Sequence, residues 1–324
     1  MTTTPPEPAP APTLPCPANG GESGRGLHGW LVIDKPAGIT SARAVALVRR
    51  ATGAKVGHAG TLDPLATGVL PLALGEATKT VQFARAGHKR YRFRIRWGIA
   101  RDTDDCEGAI TADSPVRPDA AAIAAMLPRF TGPILQRPPA YSAIKIAGRR
   151  AYALARAGWP PEMALRPVEI AELNMIRAID PDHADFEAVV GEGTYIRALA
   201  RDLAAALGTL GHIVELRRLA VGHFTEAQAI SLDSAVSLGH SLAAFGHLLP
   251  IETVLDDIPA LALTATEAAR LRHGQRVTPQ DSGERARLAR IEDGAIVGAR
   301  LDQLLVGLAR IEDGGLRPVR IINR

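Results

Sequence analysis

A strict alternation of arginine and apolar residues near position 90 is the feature that most constrains the fold. From Arg90 to Trp97, every even position holds arginine and every odd position holds Tyr, Phe, Ile or Trp. Successive side chains of a β-strand point to opposite faces of a sheet, so this period of two predicts a strand with one buried face, to which Tyr91 belongs. The arginine face is either a stripe that contacts phosphates or a solvated surface, and the pattern alone fits both.

Patterns on either side of this strand predict further helices and strands. The apolar run 30–33 predicts a strand, and Ser41 is a suitable N-cap for a helix that ends at Gly53. Glycines and prolines interrupt residues 56–79, which predicts a long structured loop that runs into a strand. Further helices are predicted at 119–130 and 194–207, and further strands at 186–190 and 212–221.

Both ends of the chain differ in composition from its centre. Seven of the first 17 residues are proline, which predicts a disordered tail over 1–27. This tail has neither a basic start nor an apolar core, so we do not expect it to be a secretory signal. The heptapeptide LARIEDG at 288–294 recurs at 308–314, and we interpret 249–324 as a small β module with a local duplication. The span 28–248 is then the main domain.

Charge is distributed unevenly along the chain. Residues 1–150 have a formal balance of +9 and residues 151–324 one of −5, which favours a polyanionic partner such as nucleic acid. No apolar run reaches the roughly 18 residues of a transmembrane helix, so no membrane association is expected. Cys16 and Cys106 lie 90 residues apart without a Cys/His cluster, so neither a disulfide framework nor a metal site is expected. A cytoplasmic setting is the simplest interpretation.

Asp63 and His58 are the candidates for chemistry in the glycine-rich stretch. Asp63 precedes Pro64, which favours an extended backbone at the aspartate, and flanking glycines let other groups approach closely. The same residues also suit an ordinary turn with a packed histidine, and one carboxylate with one imidazole do not make a metal site. Arg197 lies one position off the apolar stripe of its predicted helix, where it either pairs with a buried acid or points to solvent.

Eight sequence blocks in a fixed order carry a family resemblance. They are GWLVIDKPAGITS at 29–41, VGHAGTLDPLATG at 56–68, GEATK at 75–79, KRY at 89–91, RDTD at 101–104, PPAYSAIK at 138–145, GTYIR at 193–197 and LRRL at 216–219. On these blocks the chain resembles the TruB family of bacterial tRNA pseudouridine synthases, from position 29 to about 221 and more weakly to 323. One block would be a weak signal, whereas eight in the right order are specific.

The resemblance implies a fold, a reaction and a partner. The fold would be the α+β fold of pseudouridine synthases, a mixed and largely antiparallel sheet flanked by helices, followed by a small PUA-like β domain at the C-terminus. The reaction would convert the T-loop uridine at tRNA position 55 to pseudouridine, with neither a metal nor an organic cofactor. Residues 136–161 would form an insertion that clasps the RNA stem-loop. We therefore expect tRNA, bound through its T stem-loop, as the partner of a cytoplasmic monomer.

The resemblance also implies roles for individual residues. Asp63 matches the catalytic aspartate, and Arg197 matches the arginine that pairs with it. Tyr91 matches a tyrosine that stacks on the target base, and Tyr195 one that lines the same pocket. His58 matches a histidine associated with flipping the uridine out of the loop. Supporting positions around the pocket are matched by Lys35, Lys145 and Leu219.

The implied reaction explains why these residue types suit the site. The C1′–N1 glycosidic bond breaks, the uracil turns, and C1′ joins C5, so no atom or electron is gained and no cofactor is demanded. A carboxylate beside C1′ can stabilise the developing oxocarbenium charge or attack covalently. An arginine partner keeps that carboxylate ionised in a desolvated pocket. A flipped base requires an aromatic face on which to stack.

Two other functions remain open at this point. The first is an RNA-binding or RNA-folding factor without chemistry, which needs the basic surface but no Asp63–Arg197 pair. The second is a cofactor-free N-glycosidase in which Asp63 acts with an activated water. That reaction would release free uracil, and the sequence offers no obvious second carboxylate to activate the water.

Overall fold

A computed structural model describes residues 26–146, 148–243 and 246–323. The predicted tail therefore lies outside the described residues, apart from its last two positions. The strands are β1 (Gly29–Lys35), β2 (Val56–His58), β3 (Thr67–Leu74), β4 (Lys89–Trp97), β5 (Ile99–Arg101), β6 (Ile110–Asp113), β7 (Gly132–Gln136), β8 (Lys145–Ile146), β9 (Arg149–Arg150), β10 (Arg166–Asp180), β11 (His183–Val190), β12 (Gly211–Val221), β13 (Phe224–Thr225), β14 (Ile230–Ser231), β15 (Ala260–Ala262), β16 (Ile296–Leu301), β17 (Leu304–Glu312) and β18 (Gly315–Ile321).

The helices are shorter and lie mostly at the margins of the sheets. The α-helices are α1 (Ser41–Thr52), α2 (Val81–Ala86), α3 (Ala120–Met126), α4 (Ala151–Arg156), α5 (Ile196–Ala206), α6 (Leu232–Leu238), α7 (Ala265–Arg272) and α8 (Ser282–Leu288). Turns of 3-10 helix lie at Gly75–Thr80, Leu127–Phe130, Glu226–Gln228, Gly239–Leu242 and Ile251–Val254. No described helix is both long enough and apolar enough to cross a bilayer.

One mixed sheet organises the main part of the molecule. Its strand order is β14-β1-β3-β12-β4-β11-β10-β7, with β2 paired to β3 and β13 paired to β12. The β1–β14 and β3–β12 pairs are parallel, and the other pairs are antiparallel. This confirms the predicted α+β class with a mixed, largely antiparallel sheet.

Strand β4 lies in the interior of the sheet, as its alternation predicted. Phe93, Ile95 and Trp97 are at most 2% exposed, and they pack into the main hydrophobic core with α5. Tyr91 is half-buried against the same core. The neighbours of β4 are β11 on one side and β12 on the other, so both of its edges are hydrogen-bonded.

Two predicted boundaries were wrong. Thr40, not Ser41, is the N-cap of α1, because its backbone is extended and its side chain accepts a hydrogen bond from the Arg43 N–H at 3.1 Å. The segment 56–79 is not one long loop, since β2 and β3 pair with each other and leave an irregular loop at 59–66. We call 59–66 the Asp63 loop. Strand β3 is the strand into which the loop was predicted to run, whereas the three-residue β2 was not predicted.

The C-terminal region forms a separate small sheet. Strands β15, β16, β17 and β18 are adjacent in that order, and α7 and α8 pack on them over a core of their own. A second cluster, which includes Trp30, Phe224 and Leu308, joins this sheet to the main one. The Lys79 ammonium also donates to the Ile321 carbonyl at 2.7 Å, so the last strand is tied to the main domain.

Gly68 on β3 lies directly against the backbone of Arg218 on β12. Its φ is +100°, and a Cβ there would lie 2.2 Å from the Arg218 carbonyl oxygen. We predict that Gly68→Ala destabilises the protein by about 2–4 kcal/mol, the sum of left-handed strain and steric overlap. Gly38→Ala is the matched control, because Gly38 also has a positive φ (+82°) but a Cβ there meets nothing within 4 Å. It should cost only about 1–2 kcal/mol. Urea unfolding measures both, and equal costs would contradict the predicted overlap.

Candidate active site

The structure brings Asp63 and Arg197 together from positions 134 residues apart. The Arg197 Nε donates to one Asp63 carboxylate oxygen at 2.9 Å, and Nη2 donates to the other at 3.1 Å. Arg197 is 4% exposed, whereas the Asp63 side chain is 33% exposed. The inner side of the carboxylate is therefore fixed by a two-pronged ion pair, while part of it remains open to a substrate.

The remaining donors of Arg197 are also occupied. Nη1 donates to the Thr103 carbonyl at 2.8 Å, and Nη2 also donates to the Tyr141 carbonyl at 2.9 Å. The Asp105 carboxylate, which is buried, lies 3.5 Å from Nη1. One guanidinium thus joins α5 to the Asp63 loop, to the turn after β5 and to the segment after β7. Such a group is held in one orientation and is not free to bind phosphate.

Two buried cations hold the backbone of the Asp63 loop. The Lys35 ammonium, on a fully buried side chain, donates to the carbonyls of Pro36 (2.7 Å), Ile39 (2.9 Å) and Pro64 (3.3 Å). Arg218 is 1% exposed and donates to the carbonyls of Val69 (2.8 Å), Gly60 (3.2 Å) and Thr61 (3.4 Å). An irregular loop leaves carbonyls without backbone partners, and these side chains supply the missing donors.

Burial also changes the protonation of Lys35. Removal of the ammonium from water lowers the pKa of Lys35 from 10.5 to about 8, although the nearby Asp63 carboxylate opposes the shift. The family resemblance implies a supporting position at the pocket for Lys35. In the structure the ammonium donates to backbone carbonyls, and Lys35 is linked to the site by its hydrogen bond to the Pro64 carbonyl.

Tyr195 and Tyr91 lie on the elements that carry the ion pair. Tyr195 directly precedes α5. Its backbone N–H donates to the side-chain oxygen of the buried Gln136 at 2.8 Å, and its carbonyl accepts from the side-chain nitrogen of Gln136 at 3.1 Å. Burial raises the pKa of the Tyr195 phenol, and the Asp63 carboxylate adds to the effect. Tyr91 is opposite Arg218 in the β4–β12 register. Both tyrosines are half-buried, with rings neither fully enclosed nor fully exposed.

His58 lies at the end of β2, where it lines a basic groove. The groove runs between α1 and α2, and its positive side chains are Arg49, Lys55 and Arg85. Burial, together with Arg85 and Arg218, lowers the pKa of His58, so the imidazole is neutral at neutral pH. Its Nδ1 is buried without a hydrogen-bond partner among the described residues.

The other predicted site residues have no direct bond to the Asp63 carboxylate within the described structure. Lys145 is exposed on the β8–β9 hairpin, and Leu219 is half-buried on β12, next to Arg218. Within the described ranges, no hydrogen bond or ion pair joins Asp63 to His58, Lys145 or Leu219. Their predicted roles therefore depend on contacts with a bound substrate.

Asp105 is the site residue that sequence reasoning missed. It is 3% exposed and faces Arg197 across from Asp63, so the guanidinium lies between two carboxylates. The RDTD block at 101–104 ends one residue before it. Because Asp104 and Glu107 nearby are also acidic, the local sequence does not show that Asp105 is the carboxylate buried beside Arg197.

Much of the charge on the arginine face of β4 is paired within the sheet. Strands β11 and β12 place three carboxylates beside three of its four arginines, with Glu187 shared by two of them, which favours a solvated, paired surface over a free phosphate-binding stripe. The pairs are Arg90–Glu187 (3.3 Å), Arg92–Glu187 (3.1 Å), Arg94–Asp185 (2.8 Å) and Arg94–Glu215 (2.6 Å).

The insertion at 136–161 retains exposed positive charge. Lys145, Arg149, Arg150 and Arg156 are all exposed, and Trp159 is 77% exposed. Arg149 has no ion pair among the described residues. This segment, rather than β4, presents unpaired cations next to the ion-pair site, since its Tyr141 carbonyl is bound to Arg197.

Comparison with family profiles gives consistent matches over residues 48–256 and 259–322. Residues 48–196 match the profile of "TruB family pseudouridylate synthase (N terminal domain)". Residues 197–256 match "tRNA pseudouridylate synthase B C-terminal domain", and residues 259–322 match "Pseudouridine synthase II TruB, C-terminal".

Similar proteins and structures agree with these matches. The chain is 53% identical over 301 residues to tRNA pseudouridine synthase B of Rhodospirillum rubrum, covering 93% of this chain and 98% of that one. It is 53% identical over 306 residues to the protein of the same name in Bradyrhizobium diazoefficiens, covering 92% and 87%. A chain from a Cbf5-Nop10-Gar1 complex superposes with a TM-score of 0.67 at 25% identity, covering 91% and 85%, which supports the predicted fold class.

The lowered pKa of Lys35 predicts a pH dependence of stability. Below about pH 8 the buried ammonium is charged in both states, and its desolvation opposes folding. Between about pH 8 and 10.5 the folded protein loses this proton while the unfolded chain retains it, so the free energy of unfolding rises with pH. Relative to Lys35→Met, the wild type should gain at most about 3 kcal/mol over this interval in urea unfolding. A constant difference would contradict the shift.

Proposed function

This chain belongs to the TruB family of pseudouridylate synthases, and from that premise we propose that Asp63 is the residue that carries out its chemistry. The enzyme is an isomerase that converts uridine in tRNA to pseudouridine. The observation that supports Asp63 is its ion pair with Arg197, in which a nearly inaccessible arginine holds a partly accessible carboxylate. Such a carboxylate stays ionised and oriented while one side remains free for a reacting sugar.

The proposed reaction uses this carboxylate at C1′ of the target nucleotide. The C1′–N1 bond breaks and its electron pair leaves with the uracil, while Asp63 stabilises the cationic sugar or bonds to C1′. The uracil turns and C5 forms the new bond to C1′. C5 then loses its proton and N1 gains one, so the net change is an isomerisation. Arg197 keeps Asp63 in place throughout, because all of its groups are bound to protein.

We propose that Tyr91 and Tyr195 contact the flipped base, and that His58 contacts the part of the RNA from which this base is extruded. A half-buried aromatic ring offers a stacking face to an extruded uracil. His58 suits a different contact, because its neutral imidazole can fill space in a base stack more readily than it can pair with phosphate. We propose Lys145 as a contact of the RNA backbone, and Lys35 and Leu219 as supports of the pocket.

We propose that the substrate is the T-loop uridine at tRNA position 55, bound through the T stem-loop. The eight sequence blocks and the names of the similar proteins support this assignment. A single chain should suffice, since Asp63, Arg197, Tyr195 and Lys35 all come from one chain. We expect the reaction in the cytoplasm, where bacterial tRNA is found.

Asp63→Asn tests the central assignment. With tRNA transcripts tritiated at uridine C5, the wild type should release tritium from the T-loop position, and Asp63→Asn should lower the rate by at least about a thousandfold. Binding of tRNA should persist, because an amide has nearly the same shape as the carboxylate. Asp113→Asn, which removes an exposed carboxylate on β6, is the matched control and should be fully active. Tritium release by Asp63→Asn at the wild-type rate would refute the assignment.

The same assay separates the alternative functions. Tight tRNA binding without tritium release by the wild type would indicate an RNA-binding factor without chemistry. Free uracil and an abasic site would indicate an N-glycosidase.

Arg149→Gln tests the insertion as the RNA-binding segment. Because Arg149 is exposed and unpaired within the described structure, its loss should weaken tRNA binding and reduce the slope of log affinity against log salt by about 1. Arg92→Gln removes the same charge from an arginine already paired with Glu187, and it should change neither quantity. Equal effects of the two variants would place RNA on the arginine face of β4 as well.

A further inference from the structure

Ser41 is buried at the start of α1, yet it does not cap the helix. The Thr40 hydroxyl accepts the capping hydrogen bond from the Arg43 N–H, so the Ser41 hydroxyl is available for another contact. The hydroxyl reaches the Asp63 loop, where it accepts a hydrogen bond from the Leu62 N–H at 2.8 Å and donates one to the Leu62 carbonyl at 3.0 Å. Ser41 is 1% exposed and Leu62 3% exposed, so solvent does not compete for these bonds.

The Leu62 carbonyl is the group through which this contact reaches Asp63. That carbonyl and the Asp63 N–H belong to one planar peptide unit. A hydrogen bond to the carbonyl therefore restrains the plane from which the Asp63 side chain departs. The bond to the Leu62 N–H fixes the preceding plane as well, so the backbone entering Asp63 has little rotational freedom.

The backbone leaving Asp63 is held by the same segment of the chain. The Pro64 carbonyl accepts hydrogen bonds from the Gly38 N–H at 2.8 Å and from the Lys35 ammonium at 3.3 Å. The Asp63 loop contains no helix or strand residue, so no ladder of its own fixes it. Residues 35–41 thus hold both neighbours of Asp63, and Ser41 supplies both bonds on the Leu62 side.

We propose that Ser41 is a positioning residue for the isomerisation, which sets the place of the Asp63 carboxylate by fixing the Leu62–Asp63 peptide. The inference rests on the proposed role of Asp63. Arg197 fixes the carboxylate at the side chain and Ser41 fixes it at the backbone, so loss of the hydroxyl lets the loop and the Asp63 carboxylate shift relative to Arg197. A displacement of about 1 Å at a reacting group can lower a rate by about a hundredfold.

Ser41→Ala and Thr40→Ala form a matched pair for the test. Each removes one hydroxyl at the beginning of α1, but only Ser41→Ala removes a contact with the Asp63 loop. In single-turnover tritium release with saturating enzyme, Ser41→Ala should be slower than wild type by about 10- to 100-fold, while Thr40→Ala stays within about twofold. The Kd for tRNA should change by less than about threefold in both variants, because Ser41 is buried and Thr40→Ala removes only the capping hydrogen bond to the Arg43 N–H.

Hydrogen exchange gives a readout that general destabilisation would not reproduce. Peptides covering 59–66 should exchange faster in Ser41→Ala than in Thr40→Ala when both are compared at the same fraction of their melting temperatures. Ser41→Cys, whose thiol is a weaker hydrogen-bonding group, should give an intermediate rate of tritium release. If Ser41→Ala does not fold, the order of wild type and Ser41→Cys tests the proposal by itself.

Specific results would overturn the inference. Equal single-turnover rates for Ser41→Ala and Thr40→Ala would do so, as would a wild-type rate for Ser41→Cys in the absence of folded Ser41→Ala. A loss of rate explained wholly by weaker tRNA binding would also do so. These failures are separate from a failure of the proposed function, because in each of them the wild type makes pseudouridine and Asp63→Asn does not.

Discussion

The bidentate ion pair between Arg197 and Asp63 is the interaction on which the arrangement of the site depends. Its guanidinium also binds the Thr103 and Tyr141 carbonyls and lies beside Asp105, so it joins segments that are distant in sequence. Arg197 is buried, and removal of an ionic partner from a buried charge is destabilising in proteins generally. The pair therefore serves stability and chemistry together, since the bonds that bury the arginine also orient the carboxylate.

The irregular backbone around Asp63 imposes a second constraint. A loop at a reacting centre must expose a side chain, but its buried carbonyls and amides still need partners. Here side chains from other elements provide those partners: Lys35 from β1, Ser41 from α1 and Arg218 from β12. Lys35 and Arg218 are cations that bond to carbonyls instead of acids. This arrangement rigidifies the loop without placing further carboxylates beside Asp63.

Positive charge in the first half of the chain is divided between two uses. On β4 three of the four arginines are paired across strands, because β11 and β12 carry acids at or near the facing positions. In the insertion and in the groove beside His58, arginines and lysines face outward. The positive net charge of residues 1–150 therefore indicates a polyanionic partner, but it does not identify the surface that binds this partner. Pairing within the sheet decides which charges are available.

The sequence by itself determined the local elements and, through its motifs, the family. Alternation predicted β4, Gly53 predicted the end of α1, and the blocks singled out Asp63 and Arg197. Tertiary structure alone decided which acids pair with the arginines of β4, where the Ser41 hydroxyl binds and how Asp105 approaches Arg197. The repeated heptapeptide shows the reason. In LARIEDG at 288–294, Leu288 ends α8 and the rest is a turn, whereas Leu308 to Glu312 of the second copy lie in β17. Identical residues differ because β17 has hydrogen-bonding strands on both sides, and such long-range partners are absent from local sequence.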